Sequence, residues 1–464
     1  MALQSASMAA FTGSALGPPQ RMLHSNAIAS GLAQMQAVQS ASILSSASSA
    51  ATKIATGAAL GAFVASRFRA GRARRRGQKA SVISTRARRD SSTGLPTLHV
   101  GIVGYGLVGK ELVDQILGSA ATLQDELGVT LEVSAVARSD AMVLLQRGKH
   151  GELQAGGWPA GEEAVDLIKF GAHLIAAADA SGGRAIIVDN TASDGPVDFY
   201  ASWLAAGIDV ATPNKRAGSG PYSRYQQIMQ ASRKGGSRFM YEATVGAGLP
   251  IIGPLQTLRQ AGDEVVAVEG ILSGTLSYIF NTWKPGVSFS AVVADAKEKG
   301  FTEPDPRDDL GGTDVQRKVT ILARELGLKL ELGDVPVESL VPEKLRDWTP
   351  PVGVALGDAF LEELAKYDDE MNALIEAADA AGEVLRFVGA IDIKKGTASV
   401  KLGRYAKDHP FASTQFADNI VAFDTSWYNP RPLVVQGPGA GAAVTAAGVF
   451  GNIMESMKAL KNPQ

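Results

Sequence analysis

The sequence predicts an α/β protein whose doubly wound parallel sheet is followed by a second, α+β domain. Two observations support this fold class. From residue 96 to about residue 235, short apolar strands alternate with amphipathic helices, and beyond residue 236 longer, alternating strands take over. The chain has 464 residues, of which 45% are hydrophobic and 20% charged, so it can bury a large core in two or three domains.

The first 90 residues differ in composition from the rest of the chain. No Asp or Glu precedes Asp90, whereas twelve Lys or Arg residues do, with an arginine cluster at Arg72–Arg76. A leader that lacks acidic residues and is rich in Ser, Ala and Arg is typical of an organelle transit peptide. We therefore expect a transit peptide over residues 1–90, directed to a plastid or alternatively to a mitochondrion; the other interpretation is a disordered basic tail.

The remainder of the chain is acidic and contains no cysteine. Its 33 basic and 47 acidic residues give a formal charge of −14, which argues against nucleic acid as a partner. No apolar stretch is long enough to span a bilayer, so we expect no membrane insertion. The lack of cysteine excludes disulfides, zinc–thiolate sites and thiol nucleophiles.

The first predicted element is a strand, Leu98–Val103, that runs into the glycine-rich turn Gly104–Gly109 and the helix Lys110–Leu117. This order is typical of a Rossmann-type dinucleotide site, in which glycines let the backbone approach the pyrophosphate. The N-terminus of the helix then meets the negative charge. Gly104 and Gly109 are therefore candidate cofactor-binding residues; the alternative is a glycine turn that binds no ligand.

Three more strands are predicted for the parallel sheet, namely Leu131–Ala137, Ala185–Asp189 and Asp209–Thr212. Where NAD-binding sheets usually place an acidic residue after the second strand, this chain has Arg138 and Ser139. A cation and a hydroxyl suit a ribose 2′-phosphate, so the sequence favours NADP(H) over NAD(H). The alternative for Arg138 is a solvated loop charge.

The second domain is predicted from four strands and three helical stretches. The strands are Phe239–Thr244, Val265–Leu272, Val384–Ile393 and Ala398–Leu402, and the helices cover 313–327, 357–366 and 369–382. We expect a nucleotide-binding domain at 96–235, completed by 436–460. Residues 236–435 would then form a catalytic and dimerisation domain.

A dehydrogenase needs a group that takes the hydroxyl proton while hydride leaves, and lysine is the common base that remains here. No tyrosine has a lysine four residues later, and the zinc and thioester designs need cysteine. Lys215 follows a predicted sheet strand, where open α/β sheets bind ligands. Lys318 lies one helical turn after Asp314, so their side chains share a face.

Two further segments carry candidate ligands. Five carboxylates lie between Glu303 and Asp314, a concentration that would suit the α-ammonium group of an amino acid; the alternative is an exposed acidic loop beside an ordinary Asp–Lys helix pair. Glu242 is followed by small residues up to Pro250, whose turn would free backbone carbonyls for a hard cation. The alternative there is a glycine-rich connection.

In this order, the motifs resemble those of homoserine dehydrogenase. The resemblance covers nearly all of residues 97–455, and the stretch Gly300–Lys318 is its most specific part. The matching segments are Gly104–Gly109, Asp189–Thr191, Thr212–Lys215, Glu242–Pro250, Gly270–Thr275, Gly300–Lys318 and Gly437–Val449. The family reduces aspartate semialdehyde to homoserine with NAD(P)H, reversibly, on the route to threonine, isoleucine and methionine.

The resemblance implies roles for individual residues. Gly106, Leu107 and Val108 would meet the dinucleotide phosphates. Those expected to lie near the nicotinamide half or to close over the cofactor are Thr191, Ala192, Lys215, Gly300 and Gly441. Glu303, Asp309 and Asp314 would hold the substrate, and Lys318 would transfer the proton with Lys215 assisting. Glu242 and the carbonyls of Val245, Ala247 and Leu249 would hold a sodium ion.

The resemblance also implies a homodimer acting on a small molecule. The chain is similar to the dehydrogenase half of bifunctional aspartokinase–homoserine dehydrogenases, but we expect a monofunctional enzyme and leave inhibition by threonine open. Two other functions remain possible on the sequence alone. One is a different oxidoreductase on the same sheet, such as an amino-acid dehydrogenase, and the other is a dinucleotide sensor without catalysis. A sensor would give no reason for the cluster of Glu303, Asp314 and Lys318.

Overall fold

The computed structural model describes residues 94–146, 153 and 157–461, and the structural statements below concern these residues. They build two β-sheets with helices packed against them. The leader expected over residues 1–90 lies outside the described residues.

The first sheet has seven strands in the order β4-β3-β2-β1-β5-β6-β7. Their bounds are β1 Thr97–Val103, β2 Thr130–Ala137, β3 Ala141–Leu144, β4 Glu163–Ala164, β5 Arg184–Asp189, β6 Asp209–Ala211 and β7 Phe239–Met240. Five neighbouring strands, β2, β1, β5, β6 and β7, pair in parallel, and β3 and β4 add an antiparallel edge next to β2. Every residue of β1 is buried, as expected for a central parallel strand covered on both faces.

Helices pack on both faces of this sheet. Those that follow its strands are α1 Leu107–Leu127, α2 Leu167–Ser181, α3 Asp194–Val197, α4 Tyr200–Ala205, α5 Lys215–Ser219 and α6 Tyr222–Gly235. Along β5 the side chains alternate between two cores. Ile186 and Val188 join the cluster that includes α1, whereas Ile187 joins Phe170 and Trp203 on the opposite face. The predicted doubly wound arrangement is therefore confirmed.

The second sheet is antiparallel, with five strands in the order β10-β9-β8-β11-β12. Their bounds are β8 Val265–Ile271, β9 Glu383–Asp392, β10 Thr397–Ala406, β11 Asp418–Thr425 and β12 Leu433–Pro438. One large apolar cluster covers a face of this sheet and holds the fully buried side chains of Trp283, Phe289 and Phe360.

The remaining helices lie between these strands or after them. They are α7 Ile252–Gln260, α8 Gly274–Thr282, α9 Phe289–Glu298, α10 Arg307–Leu310, α11 Thr313–Glu325, α12 Leu356–Leu364, α13 Asp368–Ala380 and α14 Ala442–Lys461. The last helix returns to the first sheet, where Ala446, Val449, Ile453 and Met457 are buried in the cluster that contains β1 and α1. None of the helices in the described ranges is long and apolar enough to cross a bilayer.

The structure differs from the sequence-based elements in several places, and the short antiparallel strands β3 and β4 were not predicted. The strand expected at Phe239–Thr244 ends at Met240, and a single 3₁₀ turn occupies Glu242–Thr244. Strand β7 pairs with β6 and not with the second sheet, so the expected boundary at residue 236 falls before the last strand of the parallel sheet. Strands β11 and β12 were not predicted, and β12 takes up residues 436–438 of the segment expected to complete the first domain.

The glycine turn brings the start of α1 against the end of β1. Gly104 has φ +87°, a left-handed conformation that favours glycine. A Cβ at Gly109 would lie 2.4 Å from the Gly104 carbonyl oxygen, because the first turn of α1 packs directly on the glycine turn. Gly118 lies further along the same helix, and a Cβ there would meet no atom within 4 Å.

These two glycines of α1 make a matched pair for a stability test. G109A is expected to lower the free energy of unfolding by about 2 kcal/mol or more, since backbone atoms would have to move. G118A is expected to raise it by about 0.5–1 kcal/mol through helix propensity. Midpoints of thermal unfolding of the two variants and the wild type test this. Equal midpoints for both variants would contradict the close packing at Gly109.

Candidate active site

A cavity of about 1140 Å³ opens where loops of the two sheets meet. It is lined by residues of segments far apart in the sequence. The predicted site residues among them are Lys215, Ala247, Gly300, Glu303, Asp309, Asp314, Lys318 and Gly441. One cavity therefore collects three groups of predicted residues: the catalytic lysines, the substrate carboxylates and two residues expected to close over the cofactor.

The centre of the cavity wall is a carboxylate between two lysines. Lys318 Nζ lies 2.7 Å from Asp314 Oδ2, and Lys215 Nζ lies 3.3 Å from Asp314 Oδ1. Lys318 also donates a hydrogen bond of 2.7 Å to the carbonyl oxygen of Leu272 at the end of β8. An ammonium group has three N–H donors, so one of them is left for a ligand oxygen in the cavity.

Burial sets the protonation behaviour of this cluster. Lys318 is only 7% exposed, and burial lowers its pKa from the ordinary value; the Asp314 charge opposes this shift and the Lys215 charge adds to it. The pKa of Asp314 would be raised by its surroundings, but the two lysines outweigh this and hold it well below its usual range. The Asp314 side chain is 52% exposed. This exposure is to the wide cavity, which is itself surrounded by protein.

Two helices bring the lysines together. Asp314 and Lys318 lie one turn apart on α11, whose apolar side is buried in the second core. Lys215 is the first residue of α5. The helices approach closely because Gly218 of α5 has no side chain: a Cβ there would lie 2.8 Å from Ile321 of α11. This contact sets the position of Lys215 opposite Asp314.

A buried polar network fixes the start of α5. The Asp189 carboxylate, which is fully buried at the end of β5, accepts hydrogen bonds from Tyr200 Oη at 2.6 Å and Asn214 Nδ2 at 3.0 Å. Asn214 Oδ1 in turn accepts from the backbone N–H of Arg216 and so caps α5. Burial raises the pKa of Asp189, and the hydrogen bonds from Tyr200 and Asn214 oppose that shift.

The same network reaches the loop expected beside the nicotinamide. The Thr191 N–H donates to Asp189 Oδ1 at 2.8 Å, and Asn214 Nδ2 lies 3.4 Å from Thr191 Oγ1. The carbonyl oxygen of Ala192 accepts from Arg216 Nε at 2.6 Å. A Cβ at Gly104 would lie 2.9 Å from Thr191 Cγ2, so this loop adjoins the glycine turn.

The acidic segment is partly ordered by its own backbone. Asp309 Oδ2 accepts a hydrogen bond of 2.8 Å from the Glu303 N–H, and burial raises the pKa of Asp309. The Glu303 side chain is exposed to the cavity. Thr275 supports this segment by donating to the Phe301 carbonyl oxygen at 2.6 Å. Glu303, Asp309 and Asp314 thus face the cavity together with Asp308 and Asp418, a concentration of negative charge that would suit an ammonium group.

The glycine turn has the features of a phosphate cradle. No side chain caps α1 at Gly106, so the first backbone N–H groups of the helix are available to an anion. A Cβ at Gly106 would project into open space, and Leu107 is exposed beside it. The residues therefore fit a dinucleotide pyrophosphate, with Gly106, Leu107 and Val108 at the start of the helix.

Arg138 follows β2, as predicted, but it already has acidic neighbours. Its Nε lies 3.0 Å from Asp140 Oδ1, and its Nη2 lies 3.2 Å from Glu162 Oε2. The guanidinium carbon also lies 4.5 Å from the ring centroid of Trp158. Arg138 is therefore an exposed loop residue with two surface ion pairs and an aromatic neighbour, and its contact with a cofactor stays a prediction.

The Glu242 carboxylate takes part in a helix cap. Its oxygens accept three backbone hydrogen bonds from Ile251, Ile252 and Gly253 at 2.6–2.7 Å, at the beginning of α7. Close to it, burial and the Glu242 charge raise the pKa of Glu455 on α14. This crowding of two carboxylates would be relieved by a cation.

The turn after Glu242 fits such a cation. The hydrogen bonds of this turn end on the carbonyls of Glu242 and Gly246, not on those of Val245, Ala247 or Leu249. Ala247 has φ +55°, a left-handed conformation rarely adopted outside glycine. Among the described residues, no three or more His, Asp or Glu side chains form a metal cluster, so the donors here would be mainly carbonyl oxygens.

Several cavity residues were given no role from the sequence, although four of them lie in segments that carry the resemblance. They are Ser273 and Thr275 at the start of α8, Phe416 and Asp418 at the start of β11, Pro438 at the end of β12 and Thr445 in the first turn of α14. Phe416 has φ +51° and is largely exposed. The unpredicted strands β11 and β12 bring Phe416, Asp418 and Pro438 to the cavity, whereas Ser273 and Thr275 follow the predicted strand β8. Tyr200 was also missed, since its hydroxyl gains a role only once α4 packs on β5.

Comparison with known proteins agrees with this geometry. A family model described as "Homoserine dehydrogenase, NAD binding domain" matches residues 104–242, and one described as "Homoserine dehydrogenase" matches residues 250–454. A homoserine dehydrogenase of Schizosaccharomyces pombe is 42% identical over 383 residues, which cover 80% of this chain and 98% of that protein.

Two other relatives extend the comparison. The chloroplastic bifunctional aspartokinase/homoserine dehydrogenase 1 of Arabidopsis thaliana is 48% identical over 368 residues, which cover 77% of this chain and 38% of that protein. The chain thus spans about two fifths of such a plant relative. A crystal structure of a Candida auris protein of unknown function has a TM-score of 0.70 and 39% identity, and the match covers 78% of this chain and 99% of that one.

Proposed function

The chain belongs to the homoserine dehydrogenase family, and on that premise we propose that it catalyses the reversible, NAD(P)H-dependent reduction of L-aspartate 4-semialdehyde to L-homoserine. The observation that carries the proposal is the Lys318–Asp314–Lys215 cluster in the wall of the cavity. Homoserine-dependent reduction of NADP or NAD by the purified chain tests it. Absence of that activity with both cofactors would overturn it.

Lys318 is the proton donor and acceptor of the proposed reaction. NAD(P)H, when bound, supplies the hydride to the aldehyde carbon. The Lys318 ammonium group donates a proton to the aldehyde oxygen, which becomes the homoserine hydroxyl, and the neutral amine takes it back in the reverse direction. Burial and the nearby Lys215 charge favour the neutral amine, which is what a base requires. Lys215 assists from across the Asp314 carboxylate.

The carboxylates of the acidic segment hold the substrate's amino group. Glu303, Asp309 and Asp314 face the cavity. Asp314 already pairs with two lysines, but burial and the Glu303 charge raise the pKa of Asp309, and a cation beside these two carboxylates would offset their repulsion. The α-ammonium group of homoserine supplies such a cation, and binding it would orient the hydroxyl towards Lys318. Thr191, Ala192, Gly300 and Gly441 would then position the nicotinamide end of the cofactor.

We further propose that NADP(H) is preferred over NAD(H), because Arg138 follows β2 in place of an acidic residue. Comparing kcat/KM for the two cofactors tests this preference. A sodium ion is proposed at Glu242 with the carbonyls of Val245, Ala247 and Leu249. It would neutralise Glu242 and Glu455 and hold the turn that forms one wall of the cavity.

Assembly and location complete the proposal. Exposed apolar side chains lie on the edge strand β12 and in the connection before it, namely Val434, Trp427 and Tyr428, and Val266 is exposed on β8; they support a homodimer formed through the second sheet. Light scattering of the purified chain would give its mass. The composition of residues 1–90 and the chloroplastic plant relatives support a plastid destination, with the mitochondrion as alternative. Fusing these residues to a fluorescent protein would reveal the organelle.

Loss of the Lys318 amine is expected to abolish most catalysis. K318A should lower kcat by about 10²- to 10⁴-fold, the usual contribution of a positioned proton donor, and leave the cofactor Kd almost unchanged. K366A, which removes an exposed lysine paired with Glu363, is the control. Steady-state rates and cofactor titration separate the two effects. Turnover of K318A near that of wild type would show that another group moves the proton.

The Asp314 charge is expected to set the pH dependence of the reaction. Asp314 raises the Lys318 pKa, so D314N should lower that pKa and move the acidic limb of kcat/KM for homoserine oxidation to lower pH. D369N changes an exposed acidic residue on α13 and should leave the limb in place. A limb that stayed at the wild-type pH in D314N would mean that Lys318 is not the titrating base.

Sodium is expected to stabilise the folded chain. Adding sodium chloride should raise the unfolding midpoint above that in choline chloride of equal ionic strength, by an amount equivalent to about 1–3 kcal/mol near saturation. E242Q should lose this sodium-dependent increment, whatever the loss of the helix cap does to its baseline. Equal midpoints of the wild type in the two salts would contradict a sodium site.

A further inference from the structure

The guanidinium of Arg138 is held on three sides by side chains of its own chain. Asp140 and Glu162 accept its hydrogen bonds at 3.0 and 3.2 Å, and the Trp158 indole lies under its plane. Trp158 Nε1 donates to the same Glu162 oxygen at 2.9 Å. Trp158 also packs against Tyr105 of the glycine turn, with ring centroids 5.8 Å apart.

The acidic neighbours change what Arg138 offers to a cofactor. Two carboxylates around one guanidinium give the cluster a net negative charge at the position where a ribose 2′-phosphate would bind Arg138. The three side chains are roughly half exposed or more, so their ion pairs are weak enough to be exchanged for a better anion. A phosphate monoester, with nearly two negative charges, pairs more strongly with arginine but is repelled by both carboxylates.

Building on the NADP(H) preference proposed above, we propose that Glu162 and Asp140 compete with the ribose 2′-phosphate for Arg138 and thereby limit the selectivity for NADP(H) over NAD(H). Glu162 has the larger effect, because its carboxylate contacts both Arg138 and Trp158. Trp158 keeps the guanidinium in place whichever anion it pairs with. The chain therefore retains use of NAD(H), whose ribose has no phosphate to gain from Arg138.

Binding of two nucleotides to the full chain, measured by calorimetry, tests this without any reaction. Adenosine 2′,5′-bisphosphate carries the 2′-phosphate and adenosine 5′-monophosphate does not. E162Q should bind the bisphosphate about three- to tenfold more tightly than the wild type, with its affinity for the monophosphate unchanged. Gln can still accept the Trp158 hydrogen bond, so the position of the indole is preserved. R138A should lose about tenfold or more for the bisphosphate alone. E163Q is the matched control, because the adjacent Glu163 pairs with Lys169.

Each outcome decides the proposal. It is overturned if E162Q leaves the bisphosphate affinity unchanged, if it raises the affinity for both nucleotides equally, or if E163Q has the same effect. Wild-type chain that binds both nucleotides with equal affinity would also overturn it, since Arg138 would then not read the phosphate. Failure of the proposed enzyme activity is a separate result: homoserine oxidation would be absent while the nucleotide affinities still responded to E162Q.

Discussion

The site depends on one carboxylate that bridges two ammonium groups. Asp314 balances the charges of Lys215 and Lys318, which would otherwise repel each other across the cavity wall. It also connects the two sheets, because Lys215 begins a helix of the first sheet and Lys318 lies on a helix of the second. The two lysines differ in their surroundings: Lys318 is buried, and burial lowers its pKa, whereas the Lys215 side chain is 29% exposed.

A buried polar network lies behind this bridge, and its burial makes it rigid. Asp189, Tyr200 and Asn214 satisfy one another at the carboxyl end of the parallel sheet, and a buried network of this kind tolerates little movement. Its members touch neither lysine amine, yet they fix the loop at Thr191 and the start of α5. The carboxyl end of the sheet thus fixes both the loop at Thr191 and the position of the second lysine.

The sequence predicted the fold class and most strands, because apolar periodicity and the glycine turn are local signals. It also singled out Lys318 and Asp314, since their spacing on a helix is visible without a structure. It failed where an element depends on distant partners. Strand β7 is two residues long and pairs with β6. Strand β11 is buried along almost its whole length, and the residue types of β12 do not follow its alternating burial, so neither strand shows a clear period of two in the sequence. Glu162 could not be recognised as a partner of Arg138, since it lies 24 residues further along the chain.

The close crossing of α5 and α11 has one more consequence. Gly218 presents only a hydrogen atom to the facing helix, and the Ile321 side chain occupies the space that a Cβ at Gly218 would need. Lys215 precedes that crossing by three residues, and Lys318 precedes it by three residues on the other helix. An apolar contact outside the cavity therefore sets the spacing of the two amines. In this site, hydrophobic packing determines the distance between charged groups.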